Sequence, residues 1–135
     1  IRDTGRTSLF KSHRPEYLDG EQKRDFLYVK DAAAITVDLA HRLQGGGLFN
    51  VGSGEANTWL LLAKALFAAL GKQTAIDFID MPEALRGKYQ YFTCADISKL
   101  RRAGYQQSLT PLAEAVGDYV QNYLLPGRHL GDEVG

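Results

Sequence analysis

Arg24 is the residue of this sequence whose chemistry best suits anion recognition. It lies in the run Lys23-Arg24-Asp25, and this run directly precedes an apolar, aromatic stretch. A guanidinium group offers two parallel hydrogen bonds that match the oxygens of a phosphate. The residues alone leave two interpretations open. In one, Arg24 contacts a diphosphate, and in the other, Arg24 and Asp25 are ordinary surface charges beside a strand.

A second candidate site is the segment 86–91, which combines cations with aromatic side chains. Such a loop can hold a base or a sugar by stacking and a phosphate by charge. The tyrosines of the segment, Tyr89 and Tyr91, could equally cover the core of the domain while their hydroxyls find polar partners. The residue types alone do not decide between these two interpretations.

A third candidate is the segment that begins with Phe10, Lys11, Ser12 and His13 and stays polar as far as Gly20. A loop of this length in a small domain is often a binding element. The turn at residues 52–54, Gly-Ser-Gly, has the setting of a dinucleotide fingerprint but lacks its third small residue and its acidic partner. We therefore interpret it as a glycine turn leading into a helix.

Composition excludes several classes of function. The 135 residues amount to one domain, and 16 basic residues balance 16 acidic ones. A chain of zero formal charge has no overall field that favours nucleic acid or an anionic membrane, so neither is an expected partner. One cysteine and three dispersed histidines predict no disulfide and no metal site. No membrane span or export signal is recognisable, so a cytoplasmic protein is expected.

Hydrophobic periodicity predicts strands alternating with helices, which is the pattern of an α/β protein. The predicted strands are residues 24–29, 48–51 and 75–80. The predicted helices are residues 32–43, 58–70, 97–103 and 111–124, with Asp31 and Thr110 as N-caps. The helix 58–70 has almost no polar face and the strand 48–51 has no evident partner. Both features predict burial in a body larger than this chain, and hence a fragment.

Residues 24–31 and 48–54 together resemble the second half of extended short-chain dehydrogenases/reductases that act on nucleotide sugars. The run Met-Pro-Glu-Ala-Leu-Arg-Gly-Lys-Tyr-Gln-Tyr-Phe-Thr at residues 81–93 is narrower and resembles the ADP-L-glycero-D-manno-heptose 6-epimerase family. The resemblance extends over residues 1–124. It implies an α/β fold in which residues 1–125 form the carboxy-terminal, nucleotide-sugar-binding lobe of a Rossmann-type parent. Residues 31–52 would pack with the absent Rossmann domain, and residues 126–135 would form a flexible tail.

The resemblance also implies a reaction. The family inverts C6 of the heptose by transient oxidation and re-reduction at a tightly bound NADP, interconverting ADP-D-glycero-D-manno-heptose and ADP-L-glycero-D-manno-heptose for the lipopolysaccharide core. By this resemblance, Arg24 and Tyr89 would contact the ADP-sugar. Phe10, Lys11, Ser12 and His13 would belong to the substrate-binding loop, and the parent would form a homo-oligomer.

Two departures from the family limit what this chain can do. The glycine-rich cofactor loop is missing, and no tyrosine stands four residues before a lysine. We therefore predict no catalytic and no cofactor-binding residue here, and no activity without the amino-terminal Rossmann portion. Two alternatives stay open: a fragment of another nucleotide-sugar epimerase or dehydratase, which residues 81–93 argue against, and a stand-alone binding or interaction module.

Overall fold

The computed structural model describes residues 1–42, 46–129 and 132. The strands are β1 (Thr7–Phe10), β2 (Lys23–Arg24), β3 (Asn57–Thr58) and β4 (Ile76–Ile79). The helices are α1 (Val29–Arg42), α2 (Trp59–Ala69), α3 (Glu83–Arg86), α4 (Ser98–Arg102) and α5 (Leu112–Tyr119), and a π-helical turn over Val120–Leu124 continues α5. No helix in these ranges is long and apolar enough to cross a membrane.

The strands form two small sheets. β1 and β4 are parallel, with Thr7 opposite Ile76 and Phe10 opposite Ile79. β2 and β3 are antiparallel, with Arg24 opposite Asn57. The prediction of a strand at residues 75–80 is confirmed by β4, whereas β1 was not predicted, because a run of four residues carries too little alternation to be recognised.

Helix α2 confirms the prediction for residues 58–70. The Oγ1 atom of Thr58 accepts a hydrogen bond from the amide of Leu61 at 3.0 Å, which caps the first turn. Gly71 has φ +62°, and beyond it the amide of Lys72 donates to the carbonyl of Phe67 at 2.9 Å, which closes the last turn. α2 packs against α5 and β1 and buries Phe67 completely, but Leu61 remains 50% exposed. The predicted burial on most sides is therefore only partial.

The prediction for residues 24–29 is wrong beyond Arg24. β2 ends there, and α1 begins at Val29, so Asp31 lies inside the first turn of α1 rather than at its N-cap. Its carboxylate instead accepts hydrogen bonds from the amide of Thr110 at 2.7 Å and from the Thr110 hydroxyl at 2.9 Å. Asp31 thus joins the starts of two helices, a long-range contact that sequence-local capping rules do not detect.

The last helix also differs from the prediction at both ends. It begins at Leu112, and Thr110 does not cap it because its hydroxyl donates to Asp31. After Tyr119 the hydrogen bonding changes to a π-helical pattern, in which the amide of Leu125 donates to the carbonyl of Val120. Val120 is fully buried, whereas the neighbouring Tyr119 is 49% exposed.

Residues 48–51 form no strand in the structure, contrary to the prediction. A strand needs a neighbour that pairs with its backbone groups, and no described segment pairs with this one. The carbonyl of Leu48 accepts a hydrogen bond from Lys99 Nζ at 2.7 Å, and the Asn50 amide group donates to the carbonyl of Asp96 at 3.3 Å. The predicted end of α1 at residues 43–45 and most of the predicted tail after residue 129 lie outside the described residues.

Asp118 connects α5 to the beginning of α1 through side-chain hydrogen bonds. Its Oδ2 atom accepts hydrogen bonds from the Lys30 ammonium group at 2.8 Å and from the Tyr28 hydroxyl, and its Oδ1 atom accepts one from the Asn122 side chain at 2.7 Å. These three contacts, with Lys30 first, lower the pKa of Asp118 to about 2. The carboxylate therefore remains ionised in the fold at pH values where an ordinary aspartate is protonated.

This contact predicts how stability responds to acid. Because the folded pKa of Asp118 lies below its ordinary value of 3.8, the ionised group stabilises the fold above about pH 4. The contribution disappears as the pH falls towards 2. We expect Asp118→Asn to lower the free energy of unfolding at neutral pH and to flatten its dependence on pH between about 4 and 2. Urea titrations across this range would measure both quantities, and equal slopes for the two proteins would contradict the assignment.

Candidate functional site

Strand β2 places Arg24 beside the aromatic segment 89–93. One edge of β2 pairs with β3. On the other edge, the amide of Lys23 donates to the carbonyl of Tyr91 at 2.8 Å, and the amide of Thr93 donates to the carbonyl of Lys23 at 3.2 Å. Two of the regions that the sequence singled out, 23–25 and 86–91, are therefore neighbours in the fold.

The Arg24 side chain lies over an aromatic face. Its guanidinium carbon is 5.2 Å from the centroid of the Tyr89 ring, and Nη1 donates to the carbonyl of Lys23 at 2.7 Å. Within the described ranges Arg24 takes part in no ion pair. Arg24, Tyr89 and Lys88 line an open depression of about 250 Å³ together with Leu85 and Gln90. The depression therefore offers two cations and an aromatic ring to an anionic ligand.

Tyr89 also borders a second, more apolar cavity. Its ring meets the ring of Phe10, the last residue of β1, edge to face at a centroid distance of 6.2 Å. Both side chains line a cavity of about 450 Å³ that is walled mainly by apolar residues of β1 and α2. Trp59 is among them, and its buried Nε1 atom has no hydrogen-bond partner in the part of the chain that the structure describes. Tyr89 thus separates a basic depression from an apolar cavity.

The other candidates from the same segment as Phe10 are engaged with the fold itself. The amide of Lys11 donates to the carbonyl of Ile79 at 2.9 Å, and its ammonium group pairs with Asp80 at 3.4 Å. The amide of Ser12 donates to Asp19 Oδ1 at 2.7 Å. His13 donates its amide to the Tyr91 hydroxyl at 2.8 Å. The structure thus brings Phe10, Arg24 and Tyr89 together directly, whereas Lys11, Ser12 and His13 stand on the loop beside them.

Gln22 is a site-shaping residue that sequence reasoning did not find. Its side chain is only 1% exposed, and its amide group donates to the carbonyls of Phe10 at 3.3 Å and Lys11 at 3.4 Å. The backbone carbonyl of Gln22 accepts a hydrogen bond from the amide of Trp59 at 3.1 Å. One residue therefore holds the end of β1 against the start of β2. A glutamine in a polar run carries no periodic signal that would predict such burial.

Asp25 points into the structure, next to the outward-facing Arg24. Its carboxylate accepts hydrogen bonds from the Ser53 amide at 2.7 Å and hydroxyl at 2.6 Å, and from the amides of Gly54 and Ala95 at 3.0 Å each. Burial acts to raise the pKa of this carboxyl, but the hydrogen bonds from Ser53, Ala95 and Gly54 together outweigh it and lower the pKa below the ordinary value.

The turn at residues 52–54 therefore binds a carboxylate of its own chain. A Cβ atom on Gly52 would lie 2.6 Å from Asp25 Oδ2 and would also collide with the side chain of Ala95. Gly54 has φ +75°, a conformation that other residues rarely adopt. Gly52 is thus required by the packing around Asp25 and Gly54 by its backbone conformation, which agrees with the interpretation of this segment as a structural turn.

Cys94 is exposed in the structure and makes no disulfide there. No group of histidine, cysteine and acidic side chains that could hold a metal ion occurs among the described residues.

No family model matches this chain. Over 124 residues, which are 92% of the chain, it is 47% identical to an ADP-L-glycero-D-manno-heptose-6-epimerase of Nitratidesulfovibrio vulgaris. The family resemblance predicted from the sequence is confirmed. The chain spans only 38% of the length of that relative and corresponds to the carboxy-terminal portion of such epimerases.

Solved structures confirm the predicted fold class. The ADP-L-glycero-D-manno-heptose-6-epimerase of Helicobacter pylori superposes with a TM-score of 0.67 at 26% identity, over 85% of this chain and 32% of that one. The UDP-glucose-4-epimerase of Stenotrophomonas maltophila, with bound NAD and formylated UDP-arabinopyranose, has a TM-score of 0.70 at 18% identity, over 91% of this chain and 37% of that one. The described fold is thus that of part of an extended short-chain dehydrogenase/reductase with a Rossmann-type parent.

Proposed function

We propose that this chain is the ADP-sugar-binding part of an NADP-dependent ADP-L-glycero-D-manno-heptose 6-epimerase. The observation that carries the proposal is the placement of Arg24. Its guanidinium group lies over the Tyr89 ring, has no carboxylate partner in the described ranges, and faces a depression that Lys88 also lines. A cation held in place without a neutralising acid is suited to a diphosphate, and the similarity to epimerases that cover 92% of the chain supports this ligand.

In this proposal each residue binds a different part of the ADP-sugar. The Arg24 fork binds the diphosphate oxygens, and Lys88 adds a second positive charge without a fixed geometry. The Tyr89 ring, which borders both the basic depression and the apolar cavity, packs against the base or the sugar. The ligand is also bordered by the end of β1 and the beginning of the segment between β1 and β2, namely Phe10, Lys11, Ser12 and His13.

The cofactor is proposed to bind elsewhere. NADP supplies the hydride acceptor in such a reaction and needs a glycine turn that receives its pyrophosphate. The glycine turn of this chain does not fit that role, because Asp25 already occupies the amides of Ser53 and Gly54. We therefore assign no residue of this chain to hydride transfer. The absent amino-terminal portion would hold NADP, and the isolated chain would not turn over.

A chimeric enzyme would test the proposal. This chain would replace the aligned segment of the Nitratidesulfovibrio vulgaris epimerase, so that the relative supplies the remainder of the enzyme. We expect the chimera to interconvert the two C6 epimers of ADP-glycero-manno-heptose, measured by chromatographic separation of the epimers, and we expect the isolated chain to leave either epimer unchanged.

Three comparisons complete the design. The unmodified relative is the positive control, and UDP-glucose and a dTDP-sugar test whether another nucleotide sugar is preferred. A folded chimera that retains NADP but converts none of the ADP-heptoses would contradict the proposal. Conversion of a different nucleotide sugar would support the alternative of another epimerase or dehydratase, and ADP-sugar turnover by the isolated chain would refute the division of roles between the two portions.

A further inference from the structure

The middle of the segment between β1 and β2 packs on one buried tyrosine. Tyr91 is 4% exposed, and its hydroxyl oxygen accepts a hydrogen bond from the amide of His13 at 2.8 Å. The guanidinium carbon of Arg14 lies 4.6 Å from the centroid of its ring, and the ring of Tyr17 lies at 5.2 Å. Three residues of the segment thus contact the hydroxyl or the ring of Tyr91.

The segment itself contains no regular secondary structure and only a few internal hydrogen bonds. Residues 11–22 contain no strand or helix. The amide of Ser12 donates to Asp19 Oδ1 at 2.7 Å, and the amide of Tyr17 donates to the carbonyl of Arg14 at 3.2 Å, so the loop closes on itself. The ends of the segment are held by backbone hydrogen bonds, from the Lys11 amide to the Ile79 carbonyl at 2.9 Å and from the Leu60 amide to the Gly20 carbonyl at 3.0 Å. Between these ends, the contacts with Tyr91 connect the loop to the rest of the molecule.

Tyr91 is also in contact with the candidate substrate residues. Its ring meets that of Tyr89 edge to face at a centroid distance of 5.5 Å. Tyr89 in turn contacts Phe10 and lies under the Arg24 guanidinium group. A change in the position of Tyr91 therefore affects the loop on one side and Tyr89 on the other. Because Tyr91 is buried, it acts on a ligand only through these neighbours.

We propose that Tyr91 is a positioning residue for nucleotide-sugar binding, and that its hydroxyl holds residues 11–20 in place beside Tyr89 and Arg24. This inference rests on the function proposed above. An ordered loop loses less conformational freedom when a ligand arrives than a mobile one, so the same contacts bind the ligand more tightly. The effect of Tyr91 is accordingly on binding and not on the chemical step.

Tyr91→Phe removes the hydroxyl and keeps the ring, and it would be studied in the chimera. The lost bond leaves a partly buried amide without an acceptor, so we expect the KM for the ADP-heptose to rise about tenfold with kcat unchanged. We also expect hydrogen exchange at the His13 amide to accelerate by a similar factor. Tyr119→Phe is the matched control, because the Tyr119 hydroxyl makes no hydrogen bond in the described ranges, and it should change neither quantity.

Tyr17→Ala tests the same inference from the loop side, since it removes the ring contact and leaves Tyr91 intact. It should also raise KM and the exchange rate at His13. An unchanged KM in Tyr91→Phe, whether or not the His13 amide exchanges faster, would overturn the inference, and so would a fall in kcat at constant KM. Failure of the proposed function is distinguishable, because Arg24→Ala would then also leave the ADP-sugar affinity unchanged.

Discussion

Asp25→Ala is expected to lower the free energy of unfolding of this chain by about 3 kcal/mol. The substitution removes the acceptor of three main-chain amides, those of Ser53, Gly54 and Ala95, and of the Ser53 hydroxyl. Each buried donor left without a partner costs about 1–3 kcal/mol, and partial access of water reduces the sum. Equilibrium unfolding in urea, followed by circular dichroism, would measure the loss.

Two further variants make this prediction specific. Asp25→Asn retains one oxygen as an acceptor and should lose less stability than Asp25→Ala. Asp77→Ala is the matched control, because Asp77 pairs with Arg6 on an exposed surface and such pairs contribute only about 0–1 kcal/mol. Equal losses in Asp25→Ala and Asp77→Ala would show that the carboxylate of Asp25 does not organise the glycine turn.

The contrast between Arg24 and Asp25 shows what the sequence could not predict. The two residues are adjacent charges, and their types alone allowed both to be surface groups. The structure turns them to opposite sides: Arg24 faces a depression, and Asp25 binds amides that follow it by 28, 29 and 70 residues. Partners that far apart in sequence leave no periodic signal, so the inward role of Asp25 could not be derived locally.

Elements whose signals are local were predicted well. The helix predicted over residues 58–70 from its apolar run is present as α2, with Thr58 as its cap and Gly71 after its last turn. Residues 48–51 have an equally apolar composition, but a strand depends on a neighbour that sequence patterns do not identify. Helix start and stop signals were also misplaced where a long-range hydrogen bond competes for the capping side chain, as Asp31 does for Thr110.

The candidate site depended on the family resemblance more than on residue physics. Charge and aromaticity alone left Arg24 and Tyr89 with two interpretations each, whereas the resemblance assigned both to the substrate. The fold adds that Tyr89 contacts both Arg24 and Phe10. Their role in binding remains a prediction, and the Arg24 variant tests it most directly.

Arg24→Ala in the chimera is expected to weaken ADP-heptose binding at least about 100-fold while NADP stays bound. The guanidinium group would contribute two charge-assisted hydrogen bonds to the diphosphate, and hydrogen bonds to charged groups are worth about 1.5–3 kcal/mol. The fold should tolerate the change, because in the described ranges Arg24 makes one side-chain hydrogen bond, to the carbonyl of Lys23, and no ion pair. Isothermal titration with ADP-heptose, and separately with NADP, would measure both affinities.

The control variants separate charge from geometry. Arg24→Lys keeps the positive charge but loses the planar fork, so it should bind the ADP-sugar with an affinity between those of the wild type and Arg24→Ala. Arg6→Ala removes an arginine that pairs with Asp77 on the surface, and it should leave ADP-sugar affinity unchanged. If Arg24→Ala binds the ADP-sugar as tightly as Arg6→Ala does, the diphosphate is held elsewhere. In that case the depression beside Tyr89 is not the substrate site.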